Sequence, residues 1–284
     1  MRKGDKIALV CCSNGRPATQ HRILQKLQDE LIKIGLMPVF GDYIYERESV
    51  FSGSAQERAE SLMEFYRDEE VKAIFDISGG DIANEILSYL DFDMIAGSGK
   101  MFWGYSDLTT ILNAIYVKTG QPSVLYQIKN IVLEDSESQI RRFKHTILNH
   151  TEELFNFSYS FLQKTKMEGV TVGGNIRCLL KLAGTQYWPD MDSKILLLEA
   201  RSGSVPQMVT YLNQLKQIGV FEKISGILLG TFTEMERKGC VPKIVDLVKM
   251  YAGKEIPVAY TPEIGHGADA RAMIIGQKLR LSAI

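Results

Sequence analysis

The chain is 284 residues long, enough for one large or two modest domains that each bury a core. With 33 basic against 34 acidic side chains its formal net charge is -1, which excludes the electrostatic footprint of a protein that grasps nucleic acid or an anionic membrane and points to a small partner. No apolar run approaches the length of a membrane span, and four cysteines without C-x-x-C or paired metal spacing fit a reducing compartment, with the cytoplasm as the expectation.

The opening MRKGDKIALVCCSNG carries positive charges before an apolar run, but the run stops after Cys12 without a small-residue cleavage site and reads as a first strand. A helical pattern through Ile23, Leu24, Leu27 and Leu31 follows, closed by Gly35, and MPVF is a second strand. Ser54-x-x-Glu57 is a capping box for a helix carrying Leu62, Phe65 and Tyr66, and VKAIFDI reads as a buried strand. After a glycine loop come the helix-like IANEILSYL, the strand MFWGY and the helix DLTTILNAIYVK. This alternation predicts an α/β fold: a parallel sheet with helices on both faces, its function gathered at the carboxyl ends of the strands. From about residue 135 to 168 the texture becomes charged and helix-compatible, and the domain crossover is expected there, giving an N-terminal domain over residues 1–150 and a smaller, β-rich C-terminal α/β domain over 168–284. In the second half GGN at Gly173 to Asn175, the strand KILLLEA, a helix from Val205, the strand ISGILLG, a helix from Val241 and a β-rich tail follow in order.

Four places carry candidate chemistry. Ser106, in FWGYSDLTT, sits between a strand and a helix, where it is either a helix N-cap or the nucleophile of a strand–turn–helix elbow. Gly104 fits the G-x-S of such an elbow, while Asp107 stands in place of its second glycine. Gly79 and Gly80 follow a buried strand, either as a turn needing positive φ or as a cradle of N–H groups for an oxyanion or phosphate. The loop has neither a P-loop nor a dinucleotide fingerprint, which argues against a nucleotide cofactor. Glu199 closes ILLLE, where a carboxylate is either a rim residue or a partnered buried acid. His266, between two glycines in PEIGHGADA, is the one histidine of four with the setting of a loop acid/base, and no ligand cluster suggests a metal. A turn serine, a strand-end glutamate and a loop histidine are the three parts of acyl-transfer chemistry: nucleophile, orienter and base. Cys11 and Cys12 would point to opposite faces of a strand, which argues against their pairing.

With the GD-x-I opening strand (Gly4, Asp5, Ile7), SGGD-x-x-NE-x-L followed by YLDFD, GYSD, GGN, GT-x-Y-x-P at Gly184 to Pro189, K-I-L-x-x-E, GVF…ISGILLG and the G-H loop, the chain resembles the LD-carboxypeptidase family of serine peptidases over nearly its whole length. That family includes the muramoyltetrapeptide carboxypeptidases and the microcin C self-immunity peptidases. The resemblance implies Ser106 as nucleophile, Glu199 as triad acid, His266 as triad base and an oxyanion hole from the backbone N–H groups of Gly80 and Asp107. It further implies a homodimer, no cofactor, and a small substrate: a murein tetrapeptide cut before its terminal D-alanine, or, in the microcin-type alternative, an aminoacyl-nucleotide conjugate. A non-catalytic binding protein on the same scaffold is the third reading. Gly79, Asp81 and Arg201 are candidates for substrate binding, Arg201 for the product-side carboxylate, and Trp188 for stacking on a nucleobase. The chain departs from the family pattern at Ala200 for aspartate, Ala83 for serine, Ile274-Ile275-Gly276 for L-P-[IL]-G and Tyr126-Gln127-Ile128 for Tyr-Gly-Pro, and its interdomain segment is short. These changes bear on specificity.

Overall fold

The computed structural model describes residues 1–134 and 136–283. Asp135, where the crossover is expected to begin, and Ile284 lie outside them. In chain order the described strands are β1 (Lys6–Val10), β2 (Met37–Phe40), β3 (Val71–Asp76), β4 (Met101–Gly104), β5 (Ser123–Leu125), β6 (Ser160–Gln163), β7 (Lys166–Asn175), β8 (Lys194–Ala200), β9 (Gly226–Phe232), β10 (Val258–Tyr260), β11 (Met273–Ile275) and β12 (Lys278–Ser282). They form two sheets of six. The first has the order β11-β5-β4-β3-β1-β2, parallel except for β11. The second has the order β12-β7-β8-β9-β10-β6, with parallel β7 to β10 flanked by antiparallel β12 and β6. Strand β11 comes from the C-terminal part of the chain yet completes the N-terminal sheet, so the chain crosses back before it ends.

The central strands β1, β3, β8 and β9 are largely apolar on both faces because both faces are covered. Along β1, Ala8 and Val10 enter a cluster shared with Ile195 and Leu197 of β8, while Ile7 and Leu9 enter a cluster on the opposite face. Leu196 and Leu198 face a third cluster. One apolar layer thus lies between the two sheets and joins the domains. Helix Thr109–Thr119 runs in that layer, and its buried stretch from Thr109 to Ile115 is continuous, as expected of a helix enclosed on all sides. Cys11 and Cys12 are both buried and free, and belong to clusters on opposite faces.

Local signals explain most boundaries. Gly35 ends helix His21–Ile34 in the left-handed conformation at φ 108°, and Ser54 with Glu57 forms the reciprocal capping box of helix Ala55–Arg67. The IANEILSYL stretch departs from the expected α-helix: residues Ala83–Tyr89 form a 3₁₀ helix, whose first N–H is drawn to the Asp107 carboxylate at 2.8 Å. The helix expected from Val241 begins at Ile244, after Pro242. The crossover segment contains helix Ser136–Asn149 and then β6, which pairs at the far edge of the second sheet.

Candidate active site

Strand β4 ends at Gly104, and the chain then turns so sharply that Ser106 adopts φ +56°, an uncommon conformation for a residue with a side chain. Gly104 is required by the turn: a Cβ there would meet the Leu108 side chain at 2.7 Å. The Ser106 hydroxyl caps neither the short 3₁₀ turn nor the helix that follows, so of its two sequence readings the N-cap is not realised. What the local geometry has is a strand–turn–helix elbow with strain stored at the serine.

Around the elbow the loop ends of three parallel strands are laced together. The buried Asp76 carboxylate accepts from Cys12 N–H at 2.7 Å and from the Ser78 N–H at 2.6 Å, which fixes the path into the glycine loop. Burial pushes its pKa up, against the lowering effect of those bonds. The Asp107 carboxylate, fully buried, accepts from Ser13 Oγ at 2.7 Å, Ala83 N–H at 2.8 Å and Lys181 Nζ at 2.5 Å. Gly79 and Gly80 have φ +139° and +136°, and a Cβ on Gly80 would strike Asn14, whose Oδ1 holds the Asp81 N–H at 2.9 Å. Among the described residues, neither the Gly80 N–H nor the Asp107 N–H donates to a protein acceptor. From the second domain, Arg177 binds the Asp81 carboxylate and the Gly80 carbonyl, and Lys181 adds a bond to the Asp81 carbonyl at 2.7 Å. Asp81 is thereby an ion-paired loop residue.

The GGN turn at the end of β7 docks onto the helix behind the elbow. Asn113, fully buried, accepts from Gly173 N–H and donates to Gly173 C=O, each at 2.9 Å, and Asn175 N–H reaches Thr109 Oγ1 at 3.0 Å. A side chain on Gly174 would run into Thr109 at 2.7 Å. Close approach accounts for both glycines: Gly174 meets the other domain at Thr109, and a Cβ on Gly173 would meet the Leu197 carbonyl of the neighbouring β8 at 2.3 Å.

Glu199 lies at the end of β8 with no exposure, and Oε2 accepts from His266 Nδ1 at 2.6 Å. His266 Nε2 and Glu199 Oε1 are buried without a hydrogen-bond partner among the described residues. Nδ1 bound to a carboxylate leaves Nε2 as the free nitrogen, the arrangement a general base needs. The histidine loop is held on both sides. Gly230 admits the Ile264 carbonyl, which a Cβ would meet at 2.3 Å, and Thr231 N–H bonds that carbonyl at 2.8 Å. Across the domain boundary Asn130 reaches Gly267 O at 3.4 Å, and Gln139 bonds Ala268 O and Ala270 O at 2.9 and 3.0 Å.

The histidine loop and the elbow meet at Tyr105, the residue before Ser106. Its ring centroid is 4.5 Å from that of His266, and its hydroxyl lies 3.5 Å from Glu199 Oε2. Burial, then the Glu199 charge, pushes the Tyr105 hydroxyl well above its ordinary range, so it remains a donor. No hydrogen bond joins Ser106 Oγ to His266 among the described residues. Arg201 follows β8 and is exposed. Trp188 is half-buried and packs against two core clusters, a packing role for the residue considered as a stacking platform. Tyr105, Asn113, Asn130, Gln139, Arg177 and Lys181 shape the site without having been singled out in the sequence, because each acts through a partner more than 50 residues away.

Two α/β domains with a serine elbow and a histidine–carboxylate pair at their junction define a hydrolase scaffold. Residues 7–126 match the LD-carboxypeptidase N-terminal domain and residues 168–281 the LD-carboxypeptidase C-terminal domain, and the chain belongs to that family. It is 29% identical over 295 residues to the probable murein peptide carboxypeptidase of Bacillus subtilis, covering 99% of this chain and 90% of that protein. The microcin C7 self-immunity protein MccF in complex with aspartyl sulfamoyl adenosine superposes with a TM-score of 0.88 at 23% identity, over 99% of this chain and 94% of the other. The muramoyltetrapeptide carboxypeptidase of Oxalobacter formigenes does so with a TM-score of 0.82 at 24% identity, over 98% and 95%. No described helix is long and apolar enough to cross a membrane.

Proposed function

We propose that this protein is a serine LD-carboxypeptidase that removes the terminal D-alanine from a murein tetrapeptide, with Ser106 as nucleophile, His266 as general base and Glu199 as the group that orients it. The observation that carries the reading is the 2.6 Å bond from His266 Nδ1 to the buried Glu199, with Nε2 left bare beside the elbow. The substrate class is supported by family membership and by the murein peptide carboxypeptidase among its relatives.

In this mechanism Nε2 takes the Ser106 proton as Oγ attacks the carbonyl of the scissile amide, the contact tightening once substrate is bound. Glu199 keeps the Nδ1 proton in place and stabilises the imidazolium that forms. The Gly80 and Asp107 N–H groups, free of acceptors among the described residues, receive the developing oxyanion. The Asp107 side chain does not compete, since its oxygens are already engaged by Ser13, Ala83 and Lys181. His266 then returns the proton to the leaving amine, and a water repeats the sequence to release the acyl group.

The test is incubation of the pure protein with a murein tetrapeptide and with an aminoacyl sulfamoyl adenosine, following released amino acid by mass spectrometry, beside labelling with a fluorophosphonate. D-alanine released from the peptide, with labelling lost in Ser106→Ala, is the expected result. Release from the adenosine compound alone refutes the peptide assignment and spares the mechanism; an unlabelled, inactive protein favours a binding role.

A further inference from the structure

Strand β5 carries the chain out beside the elbow, with Tyr126 N–H bonded to Gly104 O at 2.8 Å, and three residues later a short 3₁₀ turn, Ile128–Val132, presents Lys129. The next residue, Asn130, is tied to Gly267 beside the catalytic histidine. Lys129 therefore sits on the bridge between the nucleophile elbow and the histidine loop. It is only 7% exposed, and among the described residues its ammonium makes no hydrogen bond.

The groups that face it explain why this is unusual. Arg16 from the loop after β1 and Arg201 from the loop after β8 repel it, while Cys11, just past β1, and Asp76, at the end of β3, act in the opposite sense. The oxygens of the Asp76 carboxyl are already filled by Cys12 and Ser78, and burial pushes the Cys11 thiol far up, so it stays neutral. A buried ammonium is costly unless paired, and here Arg16 and Arg201 add to that cost while the carboxyl in this set, Asp76, already accepts from Cys12 and Ser78.

We propose that Lys129 receives the terminal carboxylate of the substrate, with Arg16 and Arg201 adding to the positive field around it. The inference rests on the carboxypeptidase reading and deepens it: it names what makes the site prefer a peptide that ends in a free acid. The anion missing from the lysine's surroundings arrives with the substrate, and a charge-assisted bond forms where desolvation has already occurred in the free protein. Burial, reinforced by Arg16, lowers the Lys129 pKa to about 8. An incoming carboxylate raises it again, so binding the acid above that pH must take up a proton.

The experiment compares the tetrapeptide with its C-terminal amide. Wild-type protein is expected to show a KM roughly 10- to 100-fold lower for the acid, the range for one charge-assisted bond. Lys129→Met should erase most of that difference through KM more than kcat, and Lys129→Arg should retain it. The wild-type KM for the acid should climb as pH passes about 8, while that of Lys129→Arg stays flat, a behaviour a merely structural lysine does not produce. Equal KM for acid and amide in the wild type, or an unchanged acid KM in Lys129→Met, overturns the inference while leaving the carboxypeptidase reading intact. If wild-type protein cleaves neither peptide, that reading fails, and calorimetry with Ser106→Ala decides the lysine separately. Tighter binding of the acid, lost with Lys129→Met, supports its role, and equal or absent binding overturns it.

Discussion

Glu199→Gln separates orientation from packing. The change preserves the volume of a fully buried side chain and replaces the carboxylate that accepts from His266 Nδ1 at 2.6 Å with an amide. With its NH₂ toward the ring, the glutamine donates to Nδ1 and forces the proton onto Nε2, the nitrogen that must be bare to receive the serine proton. With its oxygen toward the ring, the tautomer is right but the imidazolium faces a neutral partner. Losing a hydrogen bond to a charged group costs about 1.5–3 kcal/mol. The competing tautomer brings the expected loss to about 4–5.5 kcal/mol, a fall in kcat of roughly a thousand- to ten-thousand-fold. Stability should hardly move, because Glu199 Oε1 has no partner to lose among the described residues and a buried charge is removed. The assay is D-alanine release under saturating peptide, with thermal unfolding of the same preparation. A kcat within tenfold of wild type at unchanged Tm would refute the orienting role; a collapse in Tm matching the lost activity would reassign the effect to folding.

Three further changes probe the supports. Asn113→Ala leaves the buried Gly173 N–H without its acceptor, so a loss of about 1–3 kcal/mol is expected by urea titration. Gly230→Ala puts a methyl group 2.3 Å from the Ile264 carbonyl and must displace the histidine loop; a shift near 1 Å should lower kcat by about a hundredfold, and an unchanged kcat would show that the loop is not held there. Lys129→Met is expected to stabilise the fold at pH 7 on the order of 1–3 kcal/mol. The folded pKa of about 8 lies below the ordinary 10.5, so below pH 8 the native state bears the full cost of the buried charge. That cost is relieved as pH rises between those values, so the advantage of the methionine should shrink from pH 8 to 10.5. An advantage independent of pH would rule out a charged lysine as its source.

The parts of this molecule written in local pattern were legible in advance. The parallel strands announced themselves as apolar runs, and Gly35 and the Ser54 box marked helix ends, because those signals act within a few residues. Ser106 could be located but not interpreted: the same G-x-S-D reads as a cap or an elbow, and the decision rests on a φ of +56° that no residue type dictates. The sheet assignment of MII in the tail was out of reach for a different reason, since β11 pairs with β5 about 150 positions away and its pattern is the same whichever sheet it joins. Lys129 was invisible altogether. In YQIKNIV it looks like any solvated lysine of a short turn, and only the fold buries it within the field of Arg16 and Arg201, with no hydrogen-bond acceptor among the described residues.

The glycines show how far a motif can be read without its partner. GGN and the glycine of ISGILLG look alike as flexible positions, yet each is glycine because something else occupies the place of its Cβ. For Gly174 that is Thr109 behind Ser106, and for Gly230 it is the carbonyl of Ile264 ahead of His266. One contact sets the second domain against the elbow and the other sets the histidine loop against β9, the strand beside that of Glu199. The two glycines therefore bear on the same distance, that between Ser106 and His266, from opposite sides. A motif search ranks them below the proposed triad, but the physical argument does not: a serine, a glutamate and a histidine on two domains can act together only if the backbones that carry them are allowed to come this close.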